Sequence, residues 1–150
     1  MSISSQQHHM QRLCVLLERD LSNLHGPRES GPNGAKDAFL HVGKTFLRAL
    51  AKDLGLREVK VLSNPGGIGV SGSCTLMGMW ETGGLYLCLE QSGYDRQRIA
   101  LYRSIRHIRD YKGGYNQFLT LAELQKLPYP QLLERLSMLR KDGASHGAAA

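Results

Sequence analysis

Long hydrophobic runs are absent from this chain. No apolar stretch approaches the roughly 20 residues a membrane-spanning helix needs, so a helical span is not expected. Cysteine is scarce: Cys14, Cys74 and Cys88 are odd in number and far apart. That excludes a disulfide scaffold and points to a reduced, cytosolic setting. Acidic residues are few, 13 against 19 Lys and Arg, which leaves a net charge of +6. A pI near 9.4 favours polyanionic partners, nucleic acid or an acidic protein face. The opening MSISSQQHHMQ has no basic region followed by an apolar core, so no secretory signal is expected and the protein is read as cytoplasmic.

What is present suits one globular domain. At 150 residues, 41% hydrophobic and 21% charged, the chain can bury a core without disulfides or metals. Met10, Leu13, Cys14, Leu17, Leu21 and Leu24 recur at helical spacing, which predicts an amphipathic helix over about Ser5 to His25 within an N-terminal segment 1–25. Pro and Gly mark 26–36 as a flexible loop, leaving open whether that helix docks. Phe39, Val42, Phe46, Leu47, Leu50 and Leu54 predict a second helix, with Asp37 as N-cap and Gly55 as terminal glycine.

The pattern then changes to a period of two. Arg57 to Leu62 reads as a strand with Val59 and Val61 on one face, and 66–80 as one bent strand or two. Glu81-Thr82-Gly83-Gly84 is a hairpin signal, followed by Leu85, Leu87 and Leu89 alternating with Tyr86, Cys88 and Glu90. The stretch 96–109 fits a helix or a strand. The neighbouring strands tip it to a strand, which sets Arg103 on the apolar face unless it finds a partner. Thr120 and Glu123 form a capping box, Pro128 interrupts the helix it starts, and Leu132, Leu133, Leu136 and Leu139 continue a last helix to about Lys141. The expected fold is α+β: N-terminal helices, a three- to four-strand antiparallel meander and C-terminal helices. The core spans 37–142 with a disordered tail at 143–150, and the helices lie on one sheet face.

Catalytic chemistry has few footholds. Gly67-Ile-Gly-Val-Ser-Gly72 matches G-x-G-x-x-G, with Glu90 near the place of a ribose-binding acid. Pro65 and the β-prone 73–80 stand against a nucleotide-dependent enzyme there and for a twisted glycine-bearing strand. Cys88 with His107 is a conceivable nucleophile and base, although a lone cysteine on such a strand is usually a small buried residue. His8-His9 has no companion at metal-ligand spacing. The expectation is a protein without catalysis, metal or cofactor.

The strongest functional signal is YDRQRIALYRSIRHIRDYKGGYNQF, from Tyr94 to Phe118. Arginine beside aromatic rings suits gripping phosphates, stacking on planar groups or anchoring a protein interface. Arg98, Tyr102, Arg103, Arg106, Arg109, Tyr111, Lys112 and Tyr115 are the candidate contact residues. A basic solvated face with half-buried tyrosines explains the composition equally well.

Within this block, Asp110-Tyr111-Lys112-Gly113-Gly114-Tyr115-Asn116-Gln117-Phe118 resembles the Asp-Tyr-x-Gly-Gly-Tyr-Trp-x-Phe run of the ArdB/KlcA-type antirestriction proteins. Ala100-Leu101-Tyr102 is loosely similar to the segment before that run. Asn116 stands where the family has tryptophan, and Thr120-Leu121 leads into Ala-Glu-Leu-Gln-Lys rather than a glycine-rich continuation. The resemblance implies a small binding protein of a mobile genetic element that inhibits a host defence system, restriction or CRISPR, without catalysis. Its partner would be an acidic protein surface or nucleoprotein complex. The alternative is an accessory module that binds DNA or RNA directly through the same residues.

Overall fold

The computed structural model describes residues 3–22, 34–67, 69–91 and 97–149; the side chains of Tyr111, Lys112 and residues beyond Arg140 lie outside that description. The chain runs α1 (Ile3–Leu17), α2 (Ala35–Asp53), β1 (Arg57–Asn64), β2 (Ser73–Met79), β3 (Gly84–Glu90), β4 (Arg98–His107), β5 (Asp110–Gly113), β6 (Gln117–Thr120), α3 (Leu121–Lys126) and α4 (Tyr129–Ala149). The six strands form one antiparallel sheet in the order β1-β2-β3-β4, and β5 and β6 share the far edge of β4, one at each end. The fold is therefore α+β, with more strands than the meander expected.

Local chemistry sets the element ends. α2 starts after Gly34, so Asp37 sits in its first turn and is not the cap. It stops at Gly55, whose φ of 69° only glycine adopts without strain. The Gly55 amide donates to the Lys52 carbonyl and the Leu56 amide to that of Ala51, which closes the helix in a Schellman motif. The Trp80 amide bonds the Gly83 carbonyl at 2.9 Å, closing the hairpin expected at 81–84. Both bonds of the Thr120–Glu123 capping box are made. α3 and α4 part at Pro128, and α4 continues beyond Lys141.

The register sorts side chains by face. Cys74, Leu76 and Gly78 pair with Leu89, Leu87 and Leu85, and these in turn with Ala100, Tyr102 and Ser104. This face meets the helices: α2 packs on β1 and β2, α4 on β3 and β4, and α1 on α2, α3 and α4. One large core results, from Met10 and Phe39 through Leu76 and Leu87 to Leu136. Among the described residues, the other face holds a small buried cluster of Met77, Ile105 and Ile108, with Met79 and Tyr86 against it, and no helix.

The first helix docks, though it is shorter than its leucine stripe. It ends at Leu17, Leu21 is buried in a turn beyond it, and 23–33, most of the loop expected there, lie outside the described residues. Gln6 is fully buried and its amide nitrogen donates to the Phe46 carbonyl and the Tyr129 hydroxyl, each at 3.2 Å. That hydroxyl donates to Asp53 Oδ2 at 2.6 Å. Burial of an amide side chain is tolerable only with such partners, and here they tie α1 to α2 and α4. Gln91 closes the other end: its Oε1 accepts from the Leu21 amide and its Nε2 donates to the Leu17 carbonyl.

Two bulges depart from simple alternation. In β1 the register shifts between Arg57 and Lys60 around Glu58, whose φ is 53°. Val59 is consequently exposed while Val61 packs on the core, so the two do not share a face. In β4 a shift between Arg98 and Ala100 turns both Ile99 and Ala100 to the core.

Candidate functional site: the open sheet face

β4 carries most of the arginine–tyrosine block, and its register divides that block. Arg103 is opposite Tyr86 on the uncovered face, so the expected burden of an arginine on the core face does not arise. The core side is built from Ala100, Tyr102 and Ser104, whose small members leave room for α4. Tyr102 is 3% exposed and belongs to the core; it is not a contact residue. Arg106 bonds Asp110 Oδ2 at 2.8 Å across the β4–β5 hairpin, and Arg109 sits in the turn, its amide donating to His107 Nδ1 at 3.1 Å. Arg98 and Arg103 are thus separated from Arg106 and Arg109. Tyr111 and Lys112 contribute backbone to β5. Tyr115, in the loop between β5 and β6, is 93% exposed.

Two arginines on the open side lie over aromatic rings. The Arg103 guanidinium carbon is 4.5 Å from the centroid of Tyr86, and Arg98's is 4.9 Å from that of Phe118. Arg103 also donates from Nη1 to Asn116 Oδ1 at 3.1 Å, which fixes the plane of its guanidinium. Phe118 pairs with Leu101 and remains 42% exposed; Leu62, on the same face of β1, is 54% exposed. Between them the sheet forms a shallow depression of about 440 Å³ lined by Leu62, Asn64, Ser73, Thr75, Met77, Tyr86 and Arg103. By register, Lys60 shares this face with Arg98 and Arg103, against Glu90.

The groups beneath the depression are held neutral. Burial pushes the Tyr86 hydroxyl above its ordinary pKa, and burial does the same to the Cys88 thiol. Cys88 accepts from Thr75 Oγ1 at 3.7 Å and pairs with Leu101. His107 is six positions further along β4, roughly 20 Å at the rise of a strand. Cys88 and His107 therefore do not form a nucleophile–base pair. His107 Nε2 instead lies 3.5 Å from Glu58 Oε2.

The other sequence candidates also find places. Gly67 to Gly72 joins β1 to β2, which are antiparallel, so the loop lies between strands and lacks the helix that a dinucleotide fingerprint opens into. Gly72 has φ 79°, and a Cβ there would lie 2.8 Å from the Asn64 carbonyl oxygen. His8 and His9 are part of α1, and no group of three or more His, Cys, Asp or Glu side chains with metal-site geometry occurs among the described residues. The Gly113-Gly114 pair of the antirestriction-like run has a packing role: a Cβ on Gly113 would fall 2.1 Å from the Ser104 carbonyl oxygen. No described helix is long and apolar enough to cross a membrane.

Tyr86, Phe118, Leu62 and Asn64 were not among the sequence candidates. The signal for Tyr86 was available in the alternation of Leu85, Leu87 and Leu89, which turns it away from the leucine face. Phe118 closes the resembling run but lies in a four-residue strand with no readable alternation. Comparison with protein-family models, curated proteins and solved structures gives no match for this chain.

Proposed function

We propose that this is a non-catalytic binding protein whose contact surface is the open face of its sheet and whose partner is polyanionic. The observation that carries this reading is the pair of arginine–aromatic contacts, Arg98 over Phe118 and Arg103 over Tyr86, on a face that no described helix covers. A guanidinium held over a ring is ordered before it meets a phosphate or carboxylate, which lowers the entropy lost on binding. The buried, protonated thiols support binding over nucleophilic chemistry.

Retention on a heparin column tests this. The Arg98→Glu/Arg103→Glu variant should elute at clearly lower salt than the wild type. Arg12→Glu/Arg48→Glu, the same charge change on exposed helical positions, should elute between them. Equal elution of the two folded variants would refute the site.

A second reading is favoured by the antirestriction-like segment, which displays Tyr115 almost fully to solvent beside Phe118. Under it the polyanion is a nucleoprotein complex of a host restriction or CRISPR system, and this protein is a mobile-element inhibitor that binds it. A partner recovered from host lysate after nuclease treatment, and lost with Tyr115→Ala, is its expected sign.

A further inference from the structure

We propose that the occupant of the open sheet face is a single-stranded nucleic acid, with bases stacked on the Phe118 and Tyr86 sites and the backbone phosphates drawn to Arg98 and Arg103. This rests on the reading that the open face is the contact surface, and it names the partner. Charge complementarity is the first ground: Lys60, Arg98 and Arg103 share the face with Glu90.

The second ground is shape. A guanidinium held over a ring, as at Tyr86, offers a surface to stack on, and the exposed part of Phe118 offers an apolar one. A base presents a π-face that matches both, whereas an aspartate or glutamate side chain does not. Phe118 and Tyr86 flank β4 from opposite sides, opposite Leu101 and Arg103, so two strand spacings across and two residues along set their sites roughly 12 Å apart. That separation fits two bases of an extended strand with one nucleotide between them. On β1 and β2, on the side of Tyr86 away from Phe118, Asn64, Ser73 and Thr75 line the depression and supply hydrogen-bonding groups for base edges. Tyr115, on the loop between β5 and β6, is a further ring exposed to solvent. A duplex keeps its base faces stacked inside and cannot use these rings, so the face discriminates against it.

Fluorescence anisotropy with labelled 12-mers of deoxythymidine and of uridine, and with a mixed-sequence duplex of the same length, tests the proposal. One or both single strands should bind at least tenfold tighter than the duplex, and their ratio tells DNA from RNA. Phe118→Ala should weaken single-strand binding about tenfold, and Phe118→Tyr should restore it. Arg98→Gln/Arg103→Gln should reduce the dependence of log affinity on log salt by between one and two. Melting temperatures show that each variant is folded. Equal binding of duplex and single strand, or indifference to Phe118→Ala, would overturn the proposal. If no oligonucleotide binds while heparin retention still depends on Arg98 and Arg103, the nucleic-acid inference falls and the binding-face reading stands. If retention is also insensitive to them, both fall.

Discussion

Arg103 and Tyr86 face each other across β3 and β4, the guanidinium carbon 4.5 Å above the ring. The contact joins the two residue types that define the candidate surface and also contributes to cross-strand pairing. Half-exposed cation–π pairs contribute about 0.5–1 kcal/mol. Arg103→Met keeps the stem over the ring and removes the charge, so urea denaturation should show a loss of about that size. A loss several times larger would make Arg103 a structural residue and displace it from the binding surface.

Tyr129 donates to Asp53 and accepts from the buried Gln6 amide. Tyr129→Phe leaves the ring in the core and deletes the hydroxyl. Hydrogen bonds to a charged group contribute about 1.5–3 kcal/mol, and Gln6 retains the Phe46 carbonyl. The expected destabilisation is about 2 kcal/mol. Hydrogen exchange should show α1 opening more readily than β2 and β3, because the network is what holds that helix at its N-terminal end.

The thiols predict the alkaline limb of the stability curve. Burial raises Cys14 from 9.0 to about 11 and Cys74 from 9.0 to about 12, with Glu18 adding to the first and Cys88 to the second. Above pH 9 the unfolded chain releases these protons and the native one does not. Stability is therefore fully present below pH 9 and declines as pH rises toward 11 and 12. Urea midpoints at pH 7.5, 9 and 10.5 should fall in that order, and Cys14→Ala should flatten the decline. A flat wild-type profile would contradict the burial of these groups.

Glycines separate a structural loop from a phosphate loop. Gly67 has open space where a Cβ would stand, whereas Gly72 has a positive φ and backbone 2.8 Å away, and Gly113 meets the Ser104 carbonyl at 2.1 Å. Gly67→Ala should stay within about 0.5 kcal/mol of the wild type, since it lacks any destabilising mechanism. Gly72→Ala and Gly113→Ala should each lose about 1–3 kcal/mol through strain and forced backbone shifts. Thermal melts of the three variants decide it. A destabilised Gly67→Ala would mean the loop is constrained in a way this packing does not show.

Thr120→Ala should destabilise by about 1 kcal/mol through loss of the cap that starts α3. The readout is the denaturation midpoint, with Thr120→Ser expected to recover most of the loss.

What the sequence determined by itself is local. The 3.6-residue stripe of Phe39 to Leu54, the Gly55 stop, the 81–84 hairpin, the Thr120 capping box and the alternation of Leu85, Leu87 and Leu89 all became the elements they predict, because each rests on neighbours within a few residues. Tertiary structure decided the rest. Strand alternation assigns residues to two faces without saying which one the helices cover. In β4 packing by α4 put Tyr102 in the core and left Arg103 outside. Bulges at Glu58 and after Arg98 reversed the parity of Val59 and Ile99, and no local pattern announces such a shift. β5 and β6 are four residues each and exist through pairing with opposite ends of β4, not through any alternation of their own. The candidate surface is the sum of these non-local choices. A block of arginine and tyrosine is readable in one dimension, but which of its rings and charges share a face is fixed only when the sheet has chosen the side that meets the helices.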